Sequence, residues 1–535
     1  MGHLPRMANA LSNLYRLARA GLVFAEYGVR FVPPGQPVPV ALRLAQAAVA
    51  PLRWFRRPSA TTDGPPLATA LTRLGPSYIK AGQFLAARPD LIGSALADDL
   101  KGLQDRMEPF PTMQARASIE ATLGRPCSEL FAELGEPVAA ASIAQVHRGV
   151  VVDADGKRRD VAVKVLRPGI AARFAGDLAS FYFAARLVER FDPKARRLRP
   201  VAVVRTLERS MTIEMDLRME AAAISDMAAN IKADSGFRVP AIDWSRTGKD
   251  VLTIEWIDGT PMRDVPALAA AGFDLKALGE NLIRHFLRHA MRDGFFHADM
   301  HQGNLFVDAG GNIVAVDFGI MGRLGGKERR FLAEILLGFL TRDYRRAAAA
   351  HFAAGYVPET QSVEVFAQAL RAIGEPLMGK PAEDISMGHL LGQLFAYTDV
   401  FDMKTRPELI LLQKTMVVVE GVARTLDPTL NIWTAAEPVV KDWMEKALGL
   451  EGRLNDAGEG AGQIGHFLAD LPLVLLHAER AADTFAGMAR DGLRLDDDTV
   501  RRMAEGQGRA GRWGRWATIA ALAVGALVWW AWARR

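Results

Sequence analysis

Cysteine is nearly absent. Of 535 residues only Cys127 is one. No disulfide can form within the chain, and no iron–sulfur cluster can draw all its ligands from it. A reducing compartment is the natural setting. Charge of one sign is also scarce. The 66 Lys and Arg against 61 Asp and Glu leave a formal charge of +5, with a pI near 9.3. That mild basicity suits an anionic lipid or a nucleotide and is too small to argue for nucleic acid. No groove-reading or single-strand motif is visible, so nucleic acid is not an expected partner. No dinucleotide fingerprint is present either, because Gly458-Glu-Gly460-Ala-Gly462 has no strand before it. No metal-oxygenase triad is evident. A secretory signal is missing too: Leu14–Phe24 is broken by Arg16 and Arg19, without a small-residue cleavage pattern. Apolar residues are plentiful. They make up half the chain, enough for two or three domains' worth of core.

The chain is organised around residues 297–319. Leu305–Val307 and Ile313–Val316 are short apolar runs joined by Asp308-Ala-Gly-Gly-Asn312, which reads as a tight hairpin. Asp299 and Asn304 precede the first strand and Asp317 follows the second. A hairpin returns to its start, so these oxygens can converge. Carboxylate and amide oxygens are hard ligands suited to Mg²⁺ bound with phosphate. The spacing is also that of protein kinases: a catalytic Asp, an Asn five residues on, a hairpin, then Asp-Phe-Gly, here Asp317-Phe318-Gly319. Two blander readings compete. A lone Asp-Phe-Gly is an ordinary turn, and His297, Asp299 and His301 have the composition of a zinc site. The first ignores the order of the three parts. The second leaves Asp317 without a role.

Upstream, Leu74–Pro89 reads as a helix started by Pro76 and stopped by Pro89. Lys80 and Gln83 share a face of it; taken alone, Lys80 is a solvated lysine. Residues 138–167 read as strands. Val161-Ala162-Val163-Lys164-Val165-Leu166 is a buried strand with one charge, which must find a partner or snorkel at an edge. In kinases the lysine of this strand holds the α and β phosphates and pairs with a helix glutamate. Residues from about 200 to 230 read as one long helix, with Asp216 and Glu220 on one face and Glu214 about a third of a turn away. Val251–Gly259 is a strand ending where a kinase hinge would lie, and backbone groups near Glu255 and Ile257 would meet the adenine. A helix over about 276–293 leads into the central stretch. After Gly319 the pattern departs from protein kinases. Ile320–Gly326 is short, helical period starts at Lys327, and no Ala-Pro-Glu follows. The platform for a peptide substrate has no sequence to build it. Residues 327–450 look helical throughout, 451–463 form a glycine-rich linker, and 464–490 an amphipathic helix.

Two segments suggest a membrane. The basic N-terminal stretch around Leu14–Phe24 suits either a helix lying on a membrane surface or one packed on the main domain. The C-terminal stretch Trp516–Ala533 has 18 residues without a charge, about 27 Å as a helix, which just spans a hydrocarbon core. Trp513 and Trp516 flank one end, and Trp529, Trp530 and Trp532 the other, as an aromatic belt at each interface. The excess of arginine upstream (Arg501, Arg502, Arg509, Arg512, Arg515) places the catalytic part in the cytoplasm.

Together these motifs resemble the UbiB family of atypical kinase-like proteins, the ABC/ADCK-type group linked to ubiquinone (coenzyme Q) synthesis. The resemblance runs from about residue 70 to 430. Lys80-Ala-Gly-Gln83 matches the family's K-x-G-Q motif. Val138 followed by Ala139-Ala140-Ala141-Ser142-Ile143-Ala144-Gln145-Val146 matches the alanine-rich loop that replaces the kinase glycine loop. Glu214-Met215-Asp216 matches E-x-D, and Glu220 is the expected partner of Lys164. His297-Ala-Asp299 through Asn304, with Asp317-Phe-Gly, matches the catalytic and metal motifs. Met300 and Gln302 stand where the family usually has proline, which leaves every ligand in place. Alanine Cβ atoms hold a loop backbone farther from phosphate than glycine would.

The resemblance implies an α+β, two-lobed protein-kinase-like fold with a helical N-terminal extension, a helical C-terminal region and a C-terminal transmembrane helix. The expected divisions are 1–66, basic amphipathic helices and linker; 67–137, the K-x-G-Q extension; 138–258, the N-lobe; 259–450, the helical C-lobe; 451–515, linker and amphipathic helix; and 516–533, the membrane span. ATP and Mg²⁺ are the implied cofactors. Asn304 and Asp317 would hold the metal, Asp299 with Lys80 and Gln83 would carry catalysis, and residues 138–146, Lys164, Glu214, Asp216, Glu220, Glu255 and Ile257 would bind nucleotide. Lys80 is expected against Glu214 and Asp216, closing the pocket where a peptide would otherwise enter. The implied partners are anionic membrane lipid, polyprenylated quinone precursors and other proteins of ubiquinone synthesis, at the inner (cytoplasmic) membrane of a bacterium. The implied activity is an ATPase or kinase that supports ubiquinone synthesis by acting on or mobilising lipid precursors. A small-molecule or lipid kinase, a non-catalytic nucleotide-binding scaffold and a polyprenylphenol hydroxylase are the competing functions.

Overall fold

Alternation along Arg158–Leu166 sets the first layer. In the computed structural model, which describes residues 4–29, 65–86, 92, 96, 99–100, 103, 107–191, 196, 199–378, 400–403 and 407–448, this stretch is strand β3. With β1 (Glu133–Ala140), β2 (Ala144–Val152) and β5 (Val251–Glu255) it makes an antiparallel sheet in the order β1-β2-β3-β5. Successive side chains on a strand take opposite faces. Val161, Val163 and Val165 join Val151 and Val251 on the outer face, under α4 (Thr112–Leu123) and α5 (Cys127–Leu130), where Ala115, Ile119 and Leu130 close a small core. Ala162 and Lys164 are left on the other face. Cys127 is free and buried.

The helix expected over about 200–230 is two helices, α7 (Pro200–Glu214) and α8 (Leu217–Asn230). Asp216 makes the break. Its carboxylate accepts the Arg218 N–H at 3.2 Å and the Arg218 guanidinium at 2.8 Å. Aspartate offers the backbone this alternative bond, so it favours a helix start over a helix interior. Glu214 therefore ends one helix, and Glu220 sits in the first turn of the next.

A second sheet runs β4-β9-β8-β6, from β4 (Phe237–Arg238), β6 (Gly259–Pro261), β8 (Leu305–Asp308) and β9 (Ile313–Ala315). β8 and β9 are the expected hairpin. Its turn is held by the Asp308 carboxylate, which accepts N–H bonds from Gly310 and Asn312. β7 (Phe295–His297) pairs with β10 (Met321–Arg323). Helix α10 (Leu275–Arg288) runs on into a π-helical turn, His289–Asp293, which ends at Gly294 with φ +63°. A Cβ at Gly294 would stand 2.3 Å from the Leu324 carbonyl oxygen, so only glycine fits both the dihedral and the space. α9 (Val265–Ala270), α11 (Gly326–Leu340), α12 (Tyr344–Ala353), α13 (Val363–Met378), α14 (Pro407–Leu426) and α15 (Ile432–Leu448) supply the helical C-lobe. One hydrophobic core runs from Ile143 and Leu166 to Met444 and binds both lobes.

α1 (Leu4–Glu26) packs on α2 (Pro66–Leu74), α3 (Pro76–Ala86) and α6 (Ile170–Phe191). Ala20 and Val23 are buried with Leu71 and Ile79, and Arg16 reaches Asp177 at 2.8 Å. The packed reading of the N-terminal segment is the one observed. Leu14 and Tyr15 face out. The chain divides into two compact units, Met1–Glu445 and Lys446–Arg535. The linker expected at 451–463, the helix at 464–490 and the span at 516–533 lie outside the described residues. Among the described residues no helix is long and apolar enough to cross a membrane.

Burial also fixes a pH response. His351 is buried on α12 edge-on to Phe366, and its Nδ1 donates to the Ala347 carbonyl at 2.8 Å. Burial lowers its pKa to about 4. The unfolded imidazole titrates near 6.5, so the unfolded chain binds more protons between these values. The contribution is complete above about pH 6.5 and is lost as pH falls toward about 4. Denaturant midpoints should therefore drop between pH 7 and pH 5, and less steeply in His351→Leu. A variant with an unchanged slope would remove His351 from the account.

Candidate active site

Lys164 stands at the centre. Its Nζ donates to both Glu220 carboxylate oxygens at 2.9 Å and to Asp317 Oδ1 at 2.9 Å. β3, α8 and the end of the β8–β9 hairpin thus meet at one ammonium. Lys164 keeps 17% of its side chain exposed and Glu220 8%. Burial works against the lysine charge, but Asp317 and Glu220 raise its pKa above the ordinary lysine range. The Lys164 ammonium in turn holds the Asp317 carboxyl far below the usual carboxylate range, and the Lys80 charge adds to this. Asp317 is ionised at any physiological pH.

Asp317 has φ +61°, a left-handed conformation that aspartate tolerates better than most residues. It costs about 1–2 kcal/mol, and such strain collects at functional sites. Phe318 is what holds it there. It is buried in the main core and meets the His297 ring edge-on at 4.9 Å. His297 is fully buried. Its Nδ1 accepts the Asp299 N–H at 3.1 Å, so its proton is on Nε2, which donates to the Val316 carbonyl at 3.2 Å. Both ring nitrogens are spent, which removes the zinc reading of His297, Asp299 and His301. The histidine is a brace between the Asp299 loop and the segment that leads to Asp317.

Asn304 completes the group. Its Nδ2 donates to the Asp299 carbonyl at 3.1 Å, and its own carbonyl accepts the Val316 N–H at 2.9 Å. That bond leaves Oδ1 as the amide's remaining acceptor. Asp299 keeps a 35% exposed carboxylate, 3.7 Å from His301 Nε2, within reach of an incoming acceptor. Asn304 and Asp317 are the hard-oxygen set that suits Mg²⁺.

On α3, Lys80 pairs with Glu214 Oε2 at 2.8 Å. Asp216, expected beside it, is engaged by Arg218 and caps α8. Ala81 and Phe84 pack on the main core. The glycine of the same motif is a packing residue. A Cβ on Gly82 would meet Leu71 Cδ1 at 2.7 Å and Leu103 Cδ2 at 2.8 Å. Gln83 is half-buried beside it.

The alanine loop is a closed turn. Ala141 N–H donates to the Ala144 carbonyl at 2.8 Å. Arg167, which the motifs did not mark, clamps it. Its backbone N–H donates to the Ile143 carbonyl, its side chain to the Ala141 carbonyl at 3.1 Å and to the Glu108 carbonyl at 2.7 Å. Val138 is exposed, and Ser142, Ile143 and Ala144 are buried. Gln145 lies on the opposite face of the sheet from Lys164. Its Oε1 accepts the Phe110 N–H at 2.8 Å, and its Nε2 donates to the Phe110 carbonyl at 3.1 Å and meets His147. Its side chain holds the helical extension. Gln145→Ala would leave both Phe110 backbone groups unpaired in a buried place. We expect a loss of about 1–3 kcal/mol in denaturant unfolding, with nucleotide affinity nearly unchanged. A selective loss of nucleotide binding would return Gln145 to the site.

At the hinge the Glu255 carboxylate accepts from Arg238 Nη1 at 3.0 Å, and its N–H donates to the Ala241 carbonyl. A cavity of about 500 Å³ lies here against Glu255, Trp256 and Asp258, with Arg148 stacked over the Trp256 ring at 5.0 Å. Ile257 is half-buried next to it. After Gly319 the chain pairs at once with the strand before the catalytic loop, Met321 opposite His297.

Two family models match this chain: an ABC1 atypical kinase-like domain over residues 102–351 and a UbiB helical domain over 370–431. Among curated proteins it is 42% identical to a probable protein kinase UbiB of Marinobacter nauticus, over 83% of this chain and 81% of that one. It is 38% identical to a protein of the same description from Xanthomonas euvesicatoria, over 86% and 84%. The solved complex of Rv3197 with erythromycin from Mycobacterium tuberculosis is similar at TM-score 0.48 and 23% identity, over 75% of this chain and 97% of that one.

Proposed function

The chain belongs to the UbiB family of atypical kinases, and from that premise we propose that it is a membrane-associated, MgATP-dependent ATPase or phosphotransferase that acts on polyprenylated precursors of ubiquinone. The observation that carries the reading is the Lys164 ammonium shared by Glu220 and Asp317, with Asn304 tied to the same hairpin. In kinases this lysine and its glutamate must be paired for catalysis. Lys164 would orient the phosphates, Asn304 and Asp317 would hold the metal, and Asp299 would take the proton of the acceptor hydroxyl or water. Bound Mg²⁺ would neutralise phosphate charge as it moves to the leaving group. The covered side favours a small or lipid acceptor over a protein: α3 is tied down through Lys80 and Glu214, and residues 320–325 are too few to form a peptide platform. Membrane association rests on the charge-free stretch 516–533 and on the outward Leu14 and Tyr15 of α1.

A lipid or small-molecule kinase is the second reading, favoured by the accessible Asp299 carboxylate. Purified full-length protein in lipid vesicles should turn over ATP only with Mg²⁺, faster with a polyprenylated phenol and no faster with a peptide. A phosphorylated phenol would select the kinase; phosphate release alone would select the ATPase. No nucleotide binding and no turnover would overturn both.

A further inference from the structure

Behind the catalytic hairpin lies a second group of potential ligands that the phosphate chemistry does not use. Asp234 follows α8, and His285 and His289 are one turn apart at the end of α10. One ligand atom from each lies within 4.8 Å of the others. His289 is fully buried and His285 is 3% exposed. Among the described residues neither ring nitrogen of His289 has a hydrogen-bond partner, and neither does His285 Nδ1. A buried polar atom left without a partner costs about 1–3 kcal/mol, and each such group calls for an explanation. The Phe237 ring packs on both imidazoles, with centroids at 5.3 and 4.8 Å. The backbone comes close as well: a Cβ on Gly236 would sit 3.4 Å from His285 Nε2. The π-helical turn that begins at His289 is a form often found at functional sites.

We propose that Asp234, His285 and His289 bind one divalent transition-metal ion, with Zn²⁺ the best match. Two imidazoles and a carboxylate are a zinc donor set, and i, i+4 histidines on one helix are a common way to present it. The imidazoles must be neutral to ligate, and burial keeps them so, lowering His285 to about 4 and His289 to about 3. The Asp234 carboxylate accepts from Arg292 at 2.7 and 2.9 Å. Ligating carboxylates are commonly hydrogen-bonded in this way from behind, and Arg292 is also held by Asp293. The site would join the exit of α8, which carries Glu220, to α10 and to β4, whose Phe237 pairs with Ile313 on the catalytic hairpin. It is therefore a clasp between the nucleotide-binding helix and the C-lobe.

The test uses full-length protein stripped with a chelator and titrated with Co²⁺, then with Zn²⁺ in competition. One tight equivalent per chain is expected, with the visible absorption of tetrahedral Co²⁺ and imidazole ligation. His289→Gln and Asp234→Asn should bind it about a hundredfold or more weaker. Asp317→Asn should bind it as tightly as the wild type, which separates this site from the catalytic metal site. No tight equivalent in the wild type, or one lost in Asp317→Asn and kept in His289→Gln, overturns the proposal. If the histidine variant fails to fold, the wild-type spectrum decides: an octahedral all-oxygen spectrum overturns it equally.

Discussion

Asp317→Asn is expected to lose nearly all MgATP turnover while the fold survives. The change removes a full negative charge beside Lys164, from the oxygen set proposed to hold the metal. It keeps the size and the tolerance of a left-handed backbone, since asparagine adopts φ near +60° about as well as aspartate. A fall in turnover of two to three powers of ten is the scale seen when one pre-organised electrostatic group is removed. Lys164 keeps Glu220, so the two lobes stay joined and the thermal midpoint should move little. Phosphate release from ATP, measured against Mg²⁺ concentration, is the direct readout. Wild-type turnover in this variant would dismiss the metal role of the hairpin.

Lys80→Ala is expected to act differently. Lys80 and Glu214 are 12% and 17% exposed, between the surface pairs that contribute little and the buried pairs whose rupture costs about 3–5 kcal/mol. A stability loss on the order of 1–2 kcal/mol follows. The larger effect falls on kinetics, because α3 covers the side of the site nearest Asp317 and the Lys80 charge reaches that carboxylate. Turnover should change severalfold, with a smaller change in ATP affinity. The exchange Lys80→Glu with Glu214→Lys should recover part of the loss, and a double-mutant cycle should give a coupling energy clearly above zero. Kinetics of Lys80→Ala identical to wild type, with no coupling to Glu214, would reduce the pair to a surface contact.

The parts legible in the sequence were those whose partners lie close along the chain or at fixed intervals. Asp299, Asn304 and Asp317 are bound to one hairpin, and its turn chemistry announced the return. The lone charge in Val161–Leu166 required a carboxylate, and Glu220 supplied it. Legibility failed where a side chain works on backbone rather than on another side chain. Asp216 reads as one more acidic residue in a helical run, yet its short carboxylate reaches the Arg218 N–H and starts a new helix. Gln145 sits inside the alanine loop motif but points to the far face, because strand alternation sends every second side chain there. Arg167 follows a strand with nothing beside it to show that it would close the loop. Asp234 is more than fifty positions of sequence from His285 and His289, and only the meeting of two helix ends brings it to them. At residues 1–30 the packing on α6 is encoded by no local pattern.

The pairing of Met321–Arg323 with Phe295–His297 has a bearing on control. Many signalling enzymes are turned on by a mark added to the segment after this glycine, and the mark works by ordering a loop that was loose before. Here residues 320–325 read Ile-Met-Gly-Arg-Leu-Gly. They offer no hydroxyl to receive a phosphate, and three of them are already committed to a strand or its edge. Gly322 lies so close over Phe296 that a single added carbon would stand 2.1 Å from its ring. Such a segment is already ordered, so a phosphate that works by ordering a loose loop has nothing to act on there. Control by phosphorylation of this segment is therefore not expected, and peptide mapping of an active preparation should find 320–325 unphosphorylated.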